Sequence, residues 1–197
     1  MLIGSDVMEE KIADADTEIR LTHPKLEHST NVHLMLDLLY DKLVSPLPIT
    51  TLWRLTSLIP LLQKYELDTA LLKLKKILKK ASGDSTPGKI VVFISAAQLP
   101  SIDICTSCIR NGGRESWKEV LRGMEDEVEE EIGIERDMRA SSTFDVKSWS
   151  ERISTKVPGK AMSALWKAEM GMLSDEDEED LSAVEWDAIA DKFRESS

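Results

Sequence analysis

The chain has no apolar run approaching the roughly 18–20 residues that a membrane-spanning helix needs, only two cysteines in 197 residues, and 5% aromatic side chains. Each shortage excludes something. Two cysteines cannot build a disulfide framework, and no Asn-x-Ser/Thr acceptor is present. Residues 1–10 carry neither a basic flank nor a hydrophobic stretch of secretory type, so nothing points to secretion. Positive charge is also in deficit: 25 Lys and Arg face 36 Asp and Glu, a formal −11. An acidic chain lacks the phosphate-neutralising surface that gives nucleic-acid binding most of its affinity. The expectation is a cytoplasmic or nuclear protein that binds other proteins, with no nucleic acid and no membrane among its partners.

The charge is unevenly placed. Residues 171–197 hold ten carboxylates, six of them consecutive from Asp175 to Asp180, against Lys192 and Arg194. That segment therefore carries −8 of the −11, and the rest of the chain is close to neutral.

What is present is chiefly helical periodicity. Residues 1–16 read as a loose acidic leader, and residues 17–22 (TEIRLT) alternate well enough for one short strand. After a Ser29-Thr30-Asn31 cap region, Val32, Leu34, Met35, Leu36, Leu38, Leu39 and Leu43 predict a helix apolar almost all round, which belongs in the middle of a core. Pro46 and Pro48 make the next break, and Thr50 or Thr51 can cap the helix through Leu52, Leu55, Ile59 and Leu62. Pro60 lies inside it, predicting a kink or restart near residues 58–60. Asp68 is placed as cap of a helix in which Leu71, Leu74, Leu78 and Ala81 line one side and Lys73, Lys75, Lys76, Lys79 and Lys80 the rest. Residues 83–88 (GDSTPG) form the clearest linker, with Thr86 as cap and Pro87 at the first helical position. The run Ile90-Val91-Val92-Phe93-Ile94 fits a buried strand and a helix alike, since periodicity cannot separate the two. Ser101 opens a helix that stops at Asn111-Gly112-Gly113. The capping box Ser116-x-x-Glu119 predicts a secure helix through Trp117, Val120, Leu121, Met124, Val128 and Ile132 to Gly133. A shorter helix runs through Val146, Trp149 and Ile153, and Pro158 opens one through Ala161, Leu165, Ala168 and Met172. A second capping box, Ser182-x-x-Glu185, leads into a short helix with Trp186, Ile189 and Phe193 on one face. No repeat of fixed period is apparent.

The stretch HSTNVHLMLDLLYDKLVSPLPITTLWRLTSLIPLLQKYELDTALLKL, residues 28–74, resembles the second half of a BTB/POZ domain of the divergent type common in fungi. The features that carry the likeness are Leu36, Leu38, Leu39 and Tyr40, then Pro46 and Pro48, then Lys64-Tyr65-Glu66-Leu67 with Ala70. The resemblance implies a mainly α fold, α+β with minimal sheet: a helical remnant of the BTB/POZ fold followed by an antiparallel helical extension. In that reading residues 87–99 are a helix whose antiparallel partner is 101–111. The domain order is then a leader (1–16), a BTB-like region of one strand and three helices (17–82), a linker (83–88), a helical extension (89–171) and an acidic tail with an amphipathic helix (172–197).

Two departures from the family are visible. The hairpin and two helices that open a complete domain, with half of its dimer interface, have no match in residues 1–16, so self-association is expected to be weak. Pro60 interrupts a helix that the family normally runs without a break. Family members often act as transcriptional or ubiquitin-ligase adaptors, and those that bind cullins tend to carry a hydrophobic-x-Glu element after the Tyr40-equivalent helix. Residues 41–50 contain no glutamate, so tight cullin binding is not expected.

Chemistry is sparse. Residues 83–89 fit the G-x-x-x-x-G-K of a phosphate loop, but position 90 is isoleucine where magnesium needs a Ser or Thr, and a lysine-rich helix precedes it. Cys105-x-x-Cys108 has zinc-like spacing without a second pair, and reads as two small buried hydrophobes. His23, His28 and His33 recur every five residues, which turns them to different faces of any helix. No nucleophile-and-base set can be assembled, so no enzyme activity, cofactor or metal is expected. The acidic run 125–131 reads as a solvated helix face. Residues 174–180 leading into Trp186, Ile189 and Phe193 read either as a solubilising tail or as a helix that docks into a partner's groove, the latter with a regulatory or transcription-related role. Ser174 precedes the acidic run as acidophilic kinases prefer, and a phosphate there would add about −1.5 to −2 charge.

Overall fold

A computed structural model describes residues 28–44, 46–85, 87–122, 124, 131–132, 141–170 and 186–197. These residues form α1 (Ser29–Leu39), α2 (Ile49–Lys64), α3 (Asp68–Gly83), α4 (Lys89–Gln98), α5 (Ile102–Gly112), α6 (Trp117–Arg122), a 3₁₀ turn (Val146–Ser148), α7 (Glu151–Ser154), α8 (Gly159–Met170) and α9 (Trp186–Ser196). Among the described residues there is no β-strand, only one antiparallel bridge between Ser116 and Ser142. The leader 1–16, the strand expected at 17–22 and the capping box at 182–185 lie outside the described residues.

The centre of the core is α4. Every residue from 89 to 97 is buried, because α2, α3 and α5 pack around it. The β-branched run 90–94 is thus a helix enclosed on all sides, the position in which apolarity on every face is required. Two hydroxyls inside this apolar surround satisfy each other: Thr56 and Ser95 lie 2.6 Å apart, and Ser95 also donates to the Val91 carbonyl at 3.0 Å.

That central place was the expectation for α1, which instead lies at the margin against α2 and α3. Only Leu38 of α1 is fully buried, and Leu36 and Tyr40 are exposed. An all-round apolar composition shows that a helix can be enclosed, and the neighbours decide whether it is. The α1 cap is His28, whose Nδ1 accepts from the Thr30 amide at 3.4 Å. At its other end Asp41 turns the chain at φ +56°, and Lys73 Nζ of α3 donates to Leu39 O at 2.6 Å and to Asp41 Oδ2 at 2.7 Å.

Helix α2 runs through Pro60 without a restart. Proline inside a helix costs about 3 kcal/mol, but the Pro60 ring sits on the exposed edge while Leu52, Trp53, Leu55, Leu58, Ile59, Leu61 and Leu62 are buried on the other side. Burial of that face, at roughly 1.5–3 kcal/mol per large side chain, outweighs one lost bond. Neither Thr50 nor Thr51 caps the helix; Pro48 precedes it and Thr50 is buried in its first turn. Asp68 likewise is the first residue of α3 rather than its cap.

The Ser116–Glu119 capping box forms, with the Ser116 amide donating to Glu119 Oε2 at 2.9 Å. Helix α6 is described to Arg122 and residues 131 and 132 are again helical; residues 123, 125–130 and 133 of the expected helix lie outside the described residues. The stretch through Val146 and Trp149 is a 3₁₀ turn and extended backbone, with a helix only at Glu151–Ser154. Buried tryptophans hold it: Trp117 Nε1 donates to Ser148 Oγ and Trp149 Nε1 to Thr143 O. Glu131, read as part of a solvated acidic face, is exposed, and it also accepts from Trp53 Nε1 at 3.0 Å and pairs with Lys156; residues 125–130 of that run lie outside the described residues.

All three phenylalanines meet in one place. Phe93 of α4 makes edge contacts with Phe144 (5.4 Å between centroids), Phe193 (5.8 Å) and Trp149 (6.3 Å), and Phe144 adjoins Trp186. The scarce aromatic content is therefore concentrated where α4, the 141–149 turns and α9 join, each contact adding about 0.5–1.5 kcal/mol beyond burial.

Helix α9 packs on α5 and α8. Trp186 lies on the backbone of Gly113, so closely that a Cβ at position 113 would overlap its indole ring. Gly113 has φ −59°, a value open to any residue, so the glycine is required for space and not for conformation. Gly113→Ala would ordinarily gain a few tenths of a kcal/mol or more from lost chain freedom. Here it is expected to destabilise by about 1–3 kcal/mol, read as a lower midpoint in denaturant, and Trp186→Leu in the same chain should recover part of the loss.

Candidate functional site

The three residues expected to meet a partner, Trp186, Ile189 and Phe193, are buried in this chain's own core at 4%, 0% and 1% exposure. The groove in which they sit is internal, and its rim is closed by ion pairs from Arg110 to Asp187 and Asp191 and from Arg194 to Asp103. This corrects the reading of α9 as a free docking helix. Ser174 and the acidic run 174–180 lie outside the described residues.

Of the residues that carry the BTB/POZ likeness, Leu38 and Ala70 are buried, while Leu39, Tyr65 and Leu67 are half-buried. Leu36, Tyr40 and Lys64 are exposed and form no part of a core. Lys64 Nζ stands 4.9 Å from the centre of the Tyr65 ring.

The phosphate-loop-like stretch is filled from within. Gly88, at φ +99°, is the cap of α4. The amides of Gly88 and Lys89, the donors a phosphate would need, both point to Glu115 Oε2 at 3.0 Å. Lys89 is itself buried and pairs with Asp84 at 3.2 Å. An anion therefore does sit at this helix N-terminus, where the helix dipole favours it, but it is the chain's own carboxylate. Burial holds the Glu115 carboxyl above its ordinary range, against the two amides and Lys89, which pull it down.

Cys105 and Cys108 are free and buried on α5. Burial pushes the Cys105 thiol up to about 12 and the Cys108 thiol well above its ordinary value, so neither supplies a thiolate at neutral pH. His28 caps α1, His33 is exposed, and His23 lies outside the described residues. Among the described residues no three His, Cys, Asp or Glu side chains gather as metal ligands. No described helix is long and apolar enough to cross a membrane.

One acid is out of the ordinary. Glu169, near the end of α8, is 2% exposed and its Oε1 has no hydrogen-bond partner among the described residues. Burial first, and the Asp145 carboxylate second, push its carboxyl up to about 7.

Among the described residues, an open surface lies along α3. A depression of about 740 Å³ is lined by Lys79 and Ser82 of α3, by Pro100, Ile102 and Asp103 at the start of α5, and by Arg194 of α9. A second, of about 490 Å³, is lined by Leu71, Leu72 and Lys75 of α3 with Leu99 and Pro100. Pro100 lines both, so the two depressions adjoin at that residue as a two-part groove along α3, beside the turn joining α4 to α5. Its floor is apolar, with Leu72 60% and Ile102 39% exposed. Lys75 and Lys79, four residues apart on one line of the helix, edge it.

Periodicity located the lysines but not this groove. Its second wall comes from a turn some 25–30 residues further along the chain. The available signal was Leu72, an apolar residue off the Leu71, Leu74, Leu78, Ala81 stripe. No protein-family description, no curated protein and no solved structure matches this chain.

Proposed function

We propose that this chain is a non-enzymatic protein-interaction module, an adaptor of BTB/POZ type. The observation that supports the reading best is the groove between α3 and the α4–α5 turn: an open, apolar-floored channel edged by charge, on rigid helices. Large apolar side chains left in water beside a polar rim are what a docking site for another protein presents. The likeness of residues 28–74 to a BTB/POZ half-domain favours the same class. The tail reading does not gain, since the apolar face of α9 is already used within the fold.

A photo-crosslinking side chain at position 72 or 102 of the full chain tests this in cells. Protein adducts are expected at both positions, at least about tenfold above those at Lys118, which is exposed on α6 away from the groove. Equal adducts at all three positions would overturn the reading. Stoichiometric capture of a cullin at either groove position would contradict the absence of a tight cullin contact.

A further inference from the structure

We infer that the occupant of the α3 groove is an acidic segment of another protein, with apolar side chains on Leu72, Pro100 and Ile102 and carboxylates along Lys75 and Lys79. The inference rests on the interaction reading above and adds to it the chemistry of the partner.

Charge carries the argument. In a chain of net −11, α3 holds five lysines against the single carboxylate Asp68. Lys73 is turned toward α1, where it serves Leu39 O and Asp41. The other four stand in two adjacent rows, Lys75 with Lys79 on the groove and Lys76 with Lys80 outside it. An i, i+4 row of ammonium groups matches carboxylates three or four residues apart on a facing helix. The groove's own carboxylates do not cancel this: Asp103 is paired with Arg194, which leaves Asp68 at one end. A chain of net −11 thus offers, on α3, a local surface that attracts anions.

The apolar floor decides which anion. A nucleic acid would find no aromatic ring among the residues lining the groove on which to stack a base. An amphipathic acidic helix uses both halves of the site. Individual exposed ion pairs contribute little to affinity, so the leucine, proline and isoleucine contacts hold the segment, and the lysines set its orientation and its rate of encounter.

The test is selection from a display library of random peptides of about 16 residues on the intact chain, followed by affinity measurement on the selected peptides. Expected are peptides that place Asp and Glu between Leu, Ile or Phe at helical spacing. Their affinity should fall about tenfold or more in a Lys75→Glu/Lys79→Glu chain and fall again as salt rises from about 50 to about 500 mM. Lys79 is exposed and Lys75 half-buried on the groove side of α3, and unchanged circular dichroism establishes that the variant folds; Lys79→Gln should give an intermediate loss.

Neutral or basic peptides that are lost on Leu72→Glu would overturn the acidic partner while leaving the interaction reading standing. Absence of any peptide that depends on the groove would remove both. Random single-stranded RNA that displaces the peptides would overturn the proposal in favour of nucleic acid. A dimer that dissolves in the Lys75→Glu/Lys79→Glu chain would overturn it in favour of a second copy. A rise of about tenfold in peptide affinity when Asp175 to Asp180 are replaced by their amides would overturn it in favour of this chain's own acidic run.

Discussion

Phe193→Ala is expected to lower the unfolding free energy by about 3–5 kcal/mol, the range for removing a fully buried phenylalanine. The ring is 1% exposed and edge-on to Phe93. Phe93 in turn touches Phe144 and Trp149, so a void at 193 is walled by side chains that already hold one another and can collapse little. The measurement is guanidinium unfolding followed by far-ultraviolet circular dichroism. An unchanged midpoint would mean that α9 is a dispensable appendage, as a solubilising tail would be. A loss of this size makes α9 part of the cooperative unit, since a marginally stable domain has only about 5–15 kcal/mol in total.

The second large effect is a dependence of stability on pH. Glu169 titrates at about 7 in the folded chain, against an ordinary 4.5. Between those values the folded chain holds a proton that the unfolded chain has released, so stability falls as pH rises. The contribution is fully present below about 4.5 and is lost by the time pH passes about 7. The difference of about 2.5 units corresponds to about 3 kcal/mol. The Asp145 carboxyl, also raised by burial, acts in the same direction. Glu169→Gln removes the titration, and unfolding at pH values from about 5 to about 8 should show the wild type losing stability that the variant keeps. Parallel profiles for the two proteins would show that Glu169 is ionised in the fold at neutral pH and that its burial is relieved by solvent.

These expectations also mark where the sequence was informative. The stripe Trp186, Ile189, Phe193 was legible from spacing alone, but spacing defines a face and not what covers it. The face could have met a partner, and it meets α5 of the same chain. Helix α1 shows the converse: its leucines fit a central helix, yet the centre is held by α4, whose local sequence is equally compatible with a strand. In both cases the deciding information is which elements surround the segment, and that is set by the whole chain. The lysines of α3 were legible as a charged side, whereas the groove they edge needs Pro100 and Ile102, placed there by the return of the chain into α5. The stretch 146–149 was read as helix because Val146, Trp149 and Ile153 fall at helical spacing. Hydrogen bonds from two indoles to Ser148 and Thr143 favour the tighter turn instead.

The capping of α4 by Glu115 bears on how the chain finds this fold. The acceptor for the first amides of α4 lies 26 and 27 residues later in the sequence, beyond the whole of α5. Until α5 has returned alongside α4 that end of the helix has no carboxylate, and its apolar faces have no cover. Completion of the central helix's first turn thus depends on closure of the α4–α5 hairpin, a non-local contact.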